Sequence, residues 1–273
     1  MSQPRAILKR YASDEATKLR LHYAPYYKTF EKQERTRVWL NGRELVMLGS
    51  NDYLGLAWHP QVISAGQAAL QKWGSSPTGS RMANGSRAYH AELEEALAKF
   101  LGKETVHVFS AGYLACMAAL SGIAARGDHI FADKNLHSSL VAGMTLSQAQ
   151  LTRFSHNNPS ELKEILAAED PSSPKIIALE GVYSMEGHLC ELPEIIKAAE
   201  GQNALIVMDD AHGLGVMGPG GRGSAHHFSL ENQVDLICGS FSKSLGSVGG
   251  FIAGSRDLIE YIRTHAKQLI FSA

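Results

Sequence analysis

Several short runs in this chain are apolar from end to end, and they restrict the fold more than any other feature. KIIAL (175–179) and ALIVM (204–208) show no alternation of polar and apolar residues. A strand of that kind is covered on both faces, as in a parallel sheet lying between two layers of helices. Helical patterns fall between the strands: TVHVFS leads to AGYLACMAALSGIA, HIFAD to LHSSLVAGMTLS, and QLTRFS to PSELKEILAAED. KIIALEG leads to LPEIIKAAEG, while ALIVMDD, VDLICGS and FIAG precede RDLIEYIRTHAKQL, read as one helix. This rhythm predicts an α/β chain folded as a three-layer αβα sandwich on a mostly parallel sheet.

The segment ahead of the sandwich reads differently. Residues 1 to about 35 pattern as a charged helix and a connector. VWLNGRELVMLGSN follows, two β-like runs around Asn41-Gly42, a pair that favours a type I′ hairpin turn. The expected division is an N-terminal arm with a small β-hairpin over 1–50 and a large domain over 51–273. Within the large domain, QVISAGQAALQKW is a helix stopped by Gly74, and SSPTGSRMANGS is a loop. AYHAELEEALAKFL is a helix with an apolar stripe at Leu93, Leu97, Phe100 and Leu101, stopped by Gly102.

Composition excludes more than it identifies. A net charge of -1 over 273 residues offers no electrostatic footprint for nucleic acid or an anionic membrane. Cys116, Cys190 and Cys238 are scattered and odd in number, which suits a reducing compartment and neither a disulfide framework nor a metal site. The polar N-terminus lacks a signal-peptide core, and no apolar run reaches the ~18 residues of a membrane span. The expected location is the cytoplasm. Neither a P-loop nor a nucleophile elbow is present. His226 and His227 lack metal-ligand spacing and read as surface residues, and Arg81 carries no assigned role.

In open parallel sheets, ligand groups collect beyond the carboxyl ends of strands. Here those ends carry Asp209, Asp210 and His212; Glu180, Tyr183 and Ser184; Asn135 and His137; and Ser240, Ser242 and Lys243. Pyridoxal 5′-phosphate asks for a similar set: an amine for its aldehyde, a carboxylate at its pyridine nitrogen and a plane over its ring. Its phosphate asks for a helix N-terminus and hydroxyls. Lys243, Asp209, the helix opening at Ala111-Gly112-Tyr113, and Ser240 and Ser242 are candidates for these tasks.

Taken in order, the motifs resemble the α-oxoamine synthases, pyridoxal phosphate enzymes of the fold-type I aminotransferase superfamily. The resemblance rests on SNDYLGLAWHP, GSRMANGSRAYHAELEEALAKFLG, FSAGYLACMAAL, DKNLHSSLVAG, LEGVYSMEGHLCEL, MDDAHGLGVMGPGGRG and GSFSKSLGSVGGF. It implies that Lys243 is the Schiff-base lysine, that Asp209 pairs with the pyridine nitrogen, and that His137 stacks on the ring. It also implies that His212 hydrogen-bonds the phenolic oxygen, that Ser184 borders the cofactor, and that Asn51 lies near the substrate. Ala111, Gly112, Tyr113, Ser240 and Ser242 hold the phosphate by the same resemblance, in part across a homodimer interface that contains the active site. Asp209 also fits a plain helix N-cap, His137 a buried structural histidine, and Ser184 and Asn51 ordinary turn positions.

The implied activity is an acyltransferase reaction. A small amino acid condenses with an acyl-CoA, or an acyl carrier protein thioester, to give an α-amino ketone with release of CoA and carbon dioxide, Lys243 serving as the base. HYAPYYKTFE, MLGSNDYLGL and the HAKQLIFSA ending look most like the bacterial serine palmitoyltransferase-type members, which make sphingoid bases from long-chain acyl donors. The alternatives are the 8-amino-7-oxononanoate synthases of biotin synthesis, which often carry glycine where this chain has Ser242, and the 2-amino-3-ketobutyrate CoA ligases. From another class, relatives that have lost the lysine act as non-catalytic partner subunits. Family members continue past the IFSA motif into a small C-terminal domain bearing an arginine for the substrate carboxylate. No residue here is assigned that task, and that domain is expected to be absent from this chain.

Overall fold

The computed structural model describes residues 6, 8–22 and 26–272, so residues 23–25 of the HYAPYY run lie outside the description. The chain divides into two compact units, Met1–Ser50 and Asn51–Ala273.

The first unit holds α1 (Leu8–Leu21) and three short strands, β1 (Lys32–Glu34), β2 (Arg37–Leu40) and β3 (Arg43–Val46). β2 and β3 pair antiparallel across Asn41 and Gly42, both at positive φ (52° and 70°), the type I′ geometry that the NG pair predicts. The hairpin is, however, a three-stranded sheet. β1, the all-polar and fully exposed Lys-Gln-Glu, pairs with β2. Three exposed polar residues leave no periodic signal to read.

The second unit carries the sandwich. Its helices and strands are α2 (Pro60–Trp73), α3 (Ala88–Leu101), β4 (Thr105–Phe109), α4 (Gly112–Ile123), β5 (His129–Asp133), α5 (Ser138–Ser147), β6 (Gln150–Phe154) and α6 (Pro159–Ala167). β7 (Lys175–Glu180), α7 (Leu192–Ala199), β8 (Ala204–Asp209), α8 (Ser224–His227), β9 (Leu236–Ser240), β10 (Gly250–Gly254), α9 (Arg256–His265) and α10 (Lys267–Ile270) complete it. The strand order is β4-β10-β9-β8-β7-β5-β6. Four neighbouring pairs are parallel; β10 runs antiparallel to both β9 and β4.

β5, β7, β9 and β10 are buried along their whole lengths, as unbroken apolar strands require. Lys175 is buried at the start of β7 and keeps its ammonium satisfied by the carbonyls of Asp170 (2.5 Å) and Ser173 (3.0 Å). α4 packs closely through small residues. A side chain at Gly143 of α5 would lie 2.7 Å from the Met117 carbonyl, so only glycine permits that approach.

Three expectations change. On α3 only Leu97 and Leu101 are buried, while Leu93 and Phe100 are exposed. The last predicted helix is two, because Ala266 is extended (φ -74°, ψ 108°) and redirects the chain into α10. The turn lets Ser80 donate to the Leu269 carbonyl at 3.1 Å. His226 is buried at 7% exposure rather than on the surface, since α8 tucks its ring toward Gly102. Among the described residues, no helix is long and apolar enough to cross a membrane.

Candidate active site

The carboxyl ends of β7, β8 and β9 and the amino end of α4 meet around a cavity of about 310 Å³. Nine expected residues line it: Ala111, Gly112, Tyr113, His137, Asp209, His212, Ser240, Ser242 and Lys243. Asn51 and Ser184 do not. Ser184 is exposed and is linked inward through its N–H to Glu180 Oε2 (3.4 Å), while Asn51 Oδ1 lies 3.4 Å from the Tyr53 hydroxyl.

The lysine comes first. A tight loop after β9 presents Lys243, its carbonyl accepting from Gly246 N–H at 2.9 Å. Lys243 Nζ lies 2.6 Å from His212 Nε2. Burial lowers the lysine pKa, with Asp209, Cys116 and Glu180 pulling the other way. The same burial, with Lys243 alongside, lowers that of His212. Both groups are thereby moved toward their uncharged forms.

Asp209 closes β8 and is 6% exposed. Its Oδ1 accepts from Ala211 N–H (3.0 Å) and its Oδ2 from the Cys116 thiol (3.1 Å). Glu180, on the neighbouring strand, accepts from His137 N–H at 2.5 Å. Its pKa is pushed up to about 7, chiefly by burial and then by Asp209. His137 Nδ1 meets Ser139 Oγ at 2.7 Å, and its ring stands edge-on to Tyr113 with centroids 6.2 Å apart.

The wall at the amino end of α4 is built for close approach. α4 opens behind Ala111, which has no side chain able to cap the leading N–H groups. A Cβ at Gly112 would sit 2.8 Å from Ser240 Oγ, and one at Gly250 would sit 2.4 Å from Gly112 Cα. The Ser240 and Ser242 hydroxyls are 2.7 Å apart at the same place. Uncapped amides, two hydroxyls and a wall without side chains suit a phosphate, and the amine and carboxylate in the same cavity suit a pyridine aldehyde. The residues fit pyridoxal 5′-phosphate on these grounds.

Other strand-end residues turn away. Asp210 follows Asp209 in extended chain and faces the opposite side, where both its oxygens are taken by Ser224 (N–H 2.7 Å, hydroxyl 2.6 Å). Tyr183 is buried and donates to Asp133 at 2.9 Å, and Asn135 donates to Glu186 at 2.8 Å. Glu180 lines the cavity, as its place at the end of β7 predicts, whereas nothing in the sequence reading singles out Tyr53 or Cys116. Tyr53 OH lies 2.7 Å from His212 Nδ1, a meeting of positions far apart in the chain. The adjacency of Asn51 to Tyr53 in SNDYLGL is the one signal in sequence that pointed there.

The family described as "Aminotransferase class I and II" matches residues 43–273. A serine palmitoyltransferase of Sphingobacterium spiritivorum is 41% identical over 248 residues, covering 91% of this chain and 62% of that protein. An 8-amino-7-oxononanoate synthase of Geobacter sulfurreducens is 39% identical over 245 residues, 90% of this chain and 63% of its own length. The chain thus spans less than two thirds of the length of these curated relatives. Among solved structures, a lysine-to-alanine variant of serine palmitoyltransferase from S. paucimobilis with a bound PLP–myriocin aldimine superposes with a TM-score of 0.95 at 35% identity. That match covers 98% of this chain and 71% of the other.

Proposed function

This chain belongs to the aminotransferase class I and II family, and we propose that it forms the cofactor-holding part of a pyridoxal 5′-phosphate-dependent C-acyltransferase of the α-oxoamine synthase type. The reaction is condensation of a small amino acid with an acyl-CoA, releasing CoA and carbon dioxide. The best-supported member is a serine palmitoyltransferase-like enzyme taking a long-chain acyl donor. The observation that carries the reading is the shared cavity of the Lys243 amine and the Asp209 carboxylate, with His212 Nε2 2.6 Å from that amine.

When bound, pyridoxal 5′-phosphate supplies an aldehyde for a lysine amine and a ring that accepts the electron pair left at the amino acid's α-carbon. The chain's own groups do the rest. Lys243, whose pKa burial lowers, gives up its proton more readily than an exposed lysine and serves as nucleophile and then as base. Asp209, fixed by Ala211 N–H and the Cys116 thiol, would keep a proton on the ring nitrogen. The amides of Gly112 and Tyr113 and the hydroxyls of Ser240 and Ser242 would hold the phosphate, and the His137 ring would cover one face. Ser184 and Asn51 border the site from outside the cavity. A homodimer and a cytoplasmic location belong to the same reading.

A second reading, 8-amino-7-oxononanoate synthase, is favoured by the relative at 39% identity. A non-catalytic partner subunit is disfavoured by a lysine set in a pocket of this kind. The deciding experiment pairs glycine, alanine, serine and threonine with short and long acyl-CoAs and follows free thiol and product mass. Serine with a long-chain acyl-CoA is expected to release thiol. Absence of thiol from every pairing overturns the reading.

A further inference from the structure

Both nitrogens of the His212 ring are engaged. Nε2 faces Lys243 Nζ inside the cavity at 2.6 Å, and Nδ1 meets the Tyr53 hydroxyl at 2.7 Å. Beyond that, Asn51 Oδ1 lies 3.4 Å from the same hydroxyl. Tyr53 is 42% exposed, so the line runs from the buried end of a lysine to the surface. The segment carrying Tyr53 is seated firmly on the lysine loop. A side chain at Gly246, three residues past Lys243, would lie 2.4 Å from Ala57 N, so loop and segment are in backbone contact.

A neutral imidazole carries one N–H, which couples the directions of the two bonds. In one arrangement the Lys243 ammonium donates to Nε2, and Nδ1–H donates to the Tyr53 oxygen, whose own hydrogen points outward. In the other, Tyr53 donates to Nδ1 and Nε2–H donates to a neutral Lys243 amine. Passing from the first to the second moves one proton from Nζ to Nε2, one from Nδ1 to the phenol oxygen, and one from the phenol to water. Lysine loses one proton, water gains one, and neither His212 nor Tyr53 changes charge.

We propose that Tyr53 is the outer member of a proton relay, Lys243–His212–Tyr53, through which the lysine amine gives up its proton to solvent as it becomes a nucleophile. The use assigned to the relay rests on the reading of Lys243 as the imine-forming amine, whereas the relay itself rests on the three positions alone. Asp209, Glu180 and Cys116 also face Lys243, and Asp209 and His137 also face His212. Those carboxylates favour the charged lysine, so a path that removes its proton has something to work against. Burial raises the Tyr53 pKa, which keeps the phenol protonated and able to donate. Tyr53 acts through His212 and is a positioning residue.

The test uses the full chain and Tyr53→Phe. Stopped-flow absorbance follows capture of pyridoxal 5′-phosphate across pH, and ¹⁵N spectra of the His212 ring report its tautomer without cofactor. With Tyr53→Phe, capture is expected to slow roughly 10- to 100-fold near neutral pH, converge with the parent at high pH, and reach the same final amplitude. The ring is expected to lose the pH-dependent exchange of Nδ1–H for Nε2–H shown by the parent. An unchanged capture profile together with an unchanged tautomer overturns the relay. If the parent chain captures no cofactor, the reading of Lys243 fails, and the ¹⁵N spectra still decide the relay. Should Tyr53→Phe lose its fold by circular dichroism, a fluorotyrosine at position 53 replaces it. Its more acidic phenol is expected to displace the capture profile along pH, and a profile that stays in place overturns the relay.

Discussion

Two carboxylate clusters in the same unit have opposite characters. Around Glu94 on α3, burial works against the charge, but bonds from His107 (3.1 Å), the Arg81 guanidinium and Val108 N–H (2.8 Å) win, and its pKa falls to about 2. Around Glu180, burial and the nearby Asp209 outweigh two backbone N–H groups and the Lys243 amine, and the pKa rises to about 7. In the first cluster both Glu94 oxygens are engaged, and the carboxylate serves as a clamp between α3 and β4. The second keeps an amine, a carboxylate and an imidazole turned to an open cavity. A buried charge with its partners in hand is architecture; one left short of them is available for chemistry.

Substitutions sharpen or break that contrast. Lys243→Ala gives the largest effect, complete loss of covalent pyridoxal 5′-phosphate capture, read as loss of the visible band and of the borohydride-trapped mass increment. Retention of a trapped imine elsewhere on the chain would break the assignment. Glu94→Ala, outside the cavity, is expected to cost about 3 kcal/mol in urea unfolding, because Arg81 loses its main partner, while cofactor capture persists. Because the Glu94 pKa lies below its unfolded value, its contribution is present above about pH 4.5 and disappears as pH falls toward 2. Glu180→Gln is the smallest and runs the other way. A raised pKa means that the folded chain holds a proton which the unfolded chain has shed, so Glu180 weakens stability as pH climbs from about 4.5 through 7. Glu180→Gln in the cofactor-free chain is expected to gain on the parent over that window by no more than about 3 kcal/mol. An equal response of both variants to pH would erase the distinction between the clusters.

Local chemistry was legible in the sequence and long-range encounters were not. The apolar runs announced covered strands, and Asn41-Gly42 its turn, since both depend on a few neighbouring residues. Lys243, Asp209 and Gly112 could be named because they sit at strand ends and a helix start. Strand parity puts Asp209 and Asp210 on opposite sides but does not say which side holds the cavity, which is set by how α4 and α8 pack. Tyr53 and Cys116 gain their roles only from positions far along the chain, against His212 and Asp209. Arg81 has no role legible in the sequence for the same reason: its partner Glu94 is brought to it once α3 lies against β4. The nine residues 241–249 are too few for the crossover that a parallel β9–β10 pair needs, so the antiparallel turn was implied by loop length.

The place of β10 has a consequence for how the chain comes off the ribosome. Among the described residues β4 pairs in its sheet only with β10, so Thr105–Phe109 waits for Gly250–Gly254. Until then α4, the helix whose amino end lines the cavity, follows a strand with no neighbour. Synthesis must therefore carry an unfinished sheet edge through the 140 residues 110–249, a stretch in which a chaperone has work to do and a stalled chain is exposed to self-association.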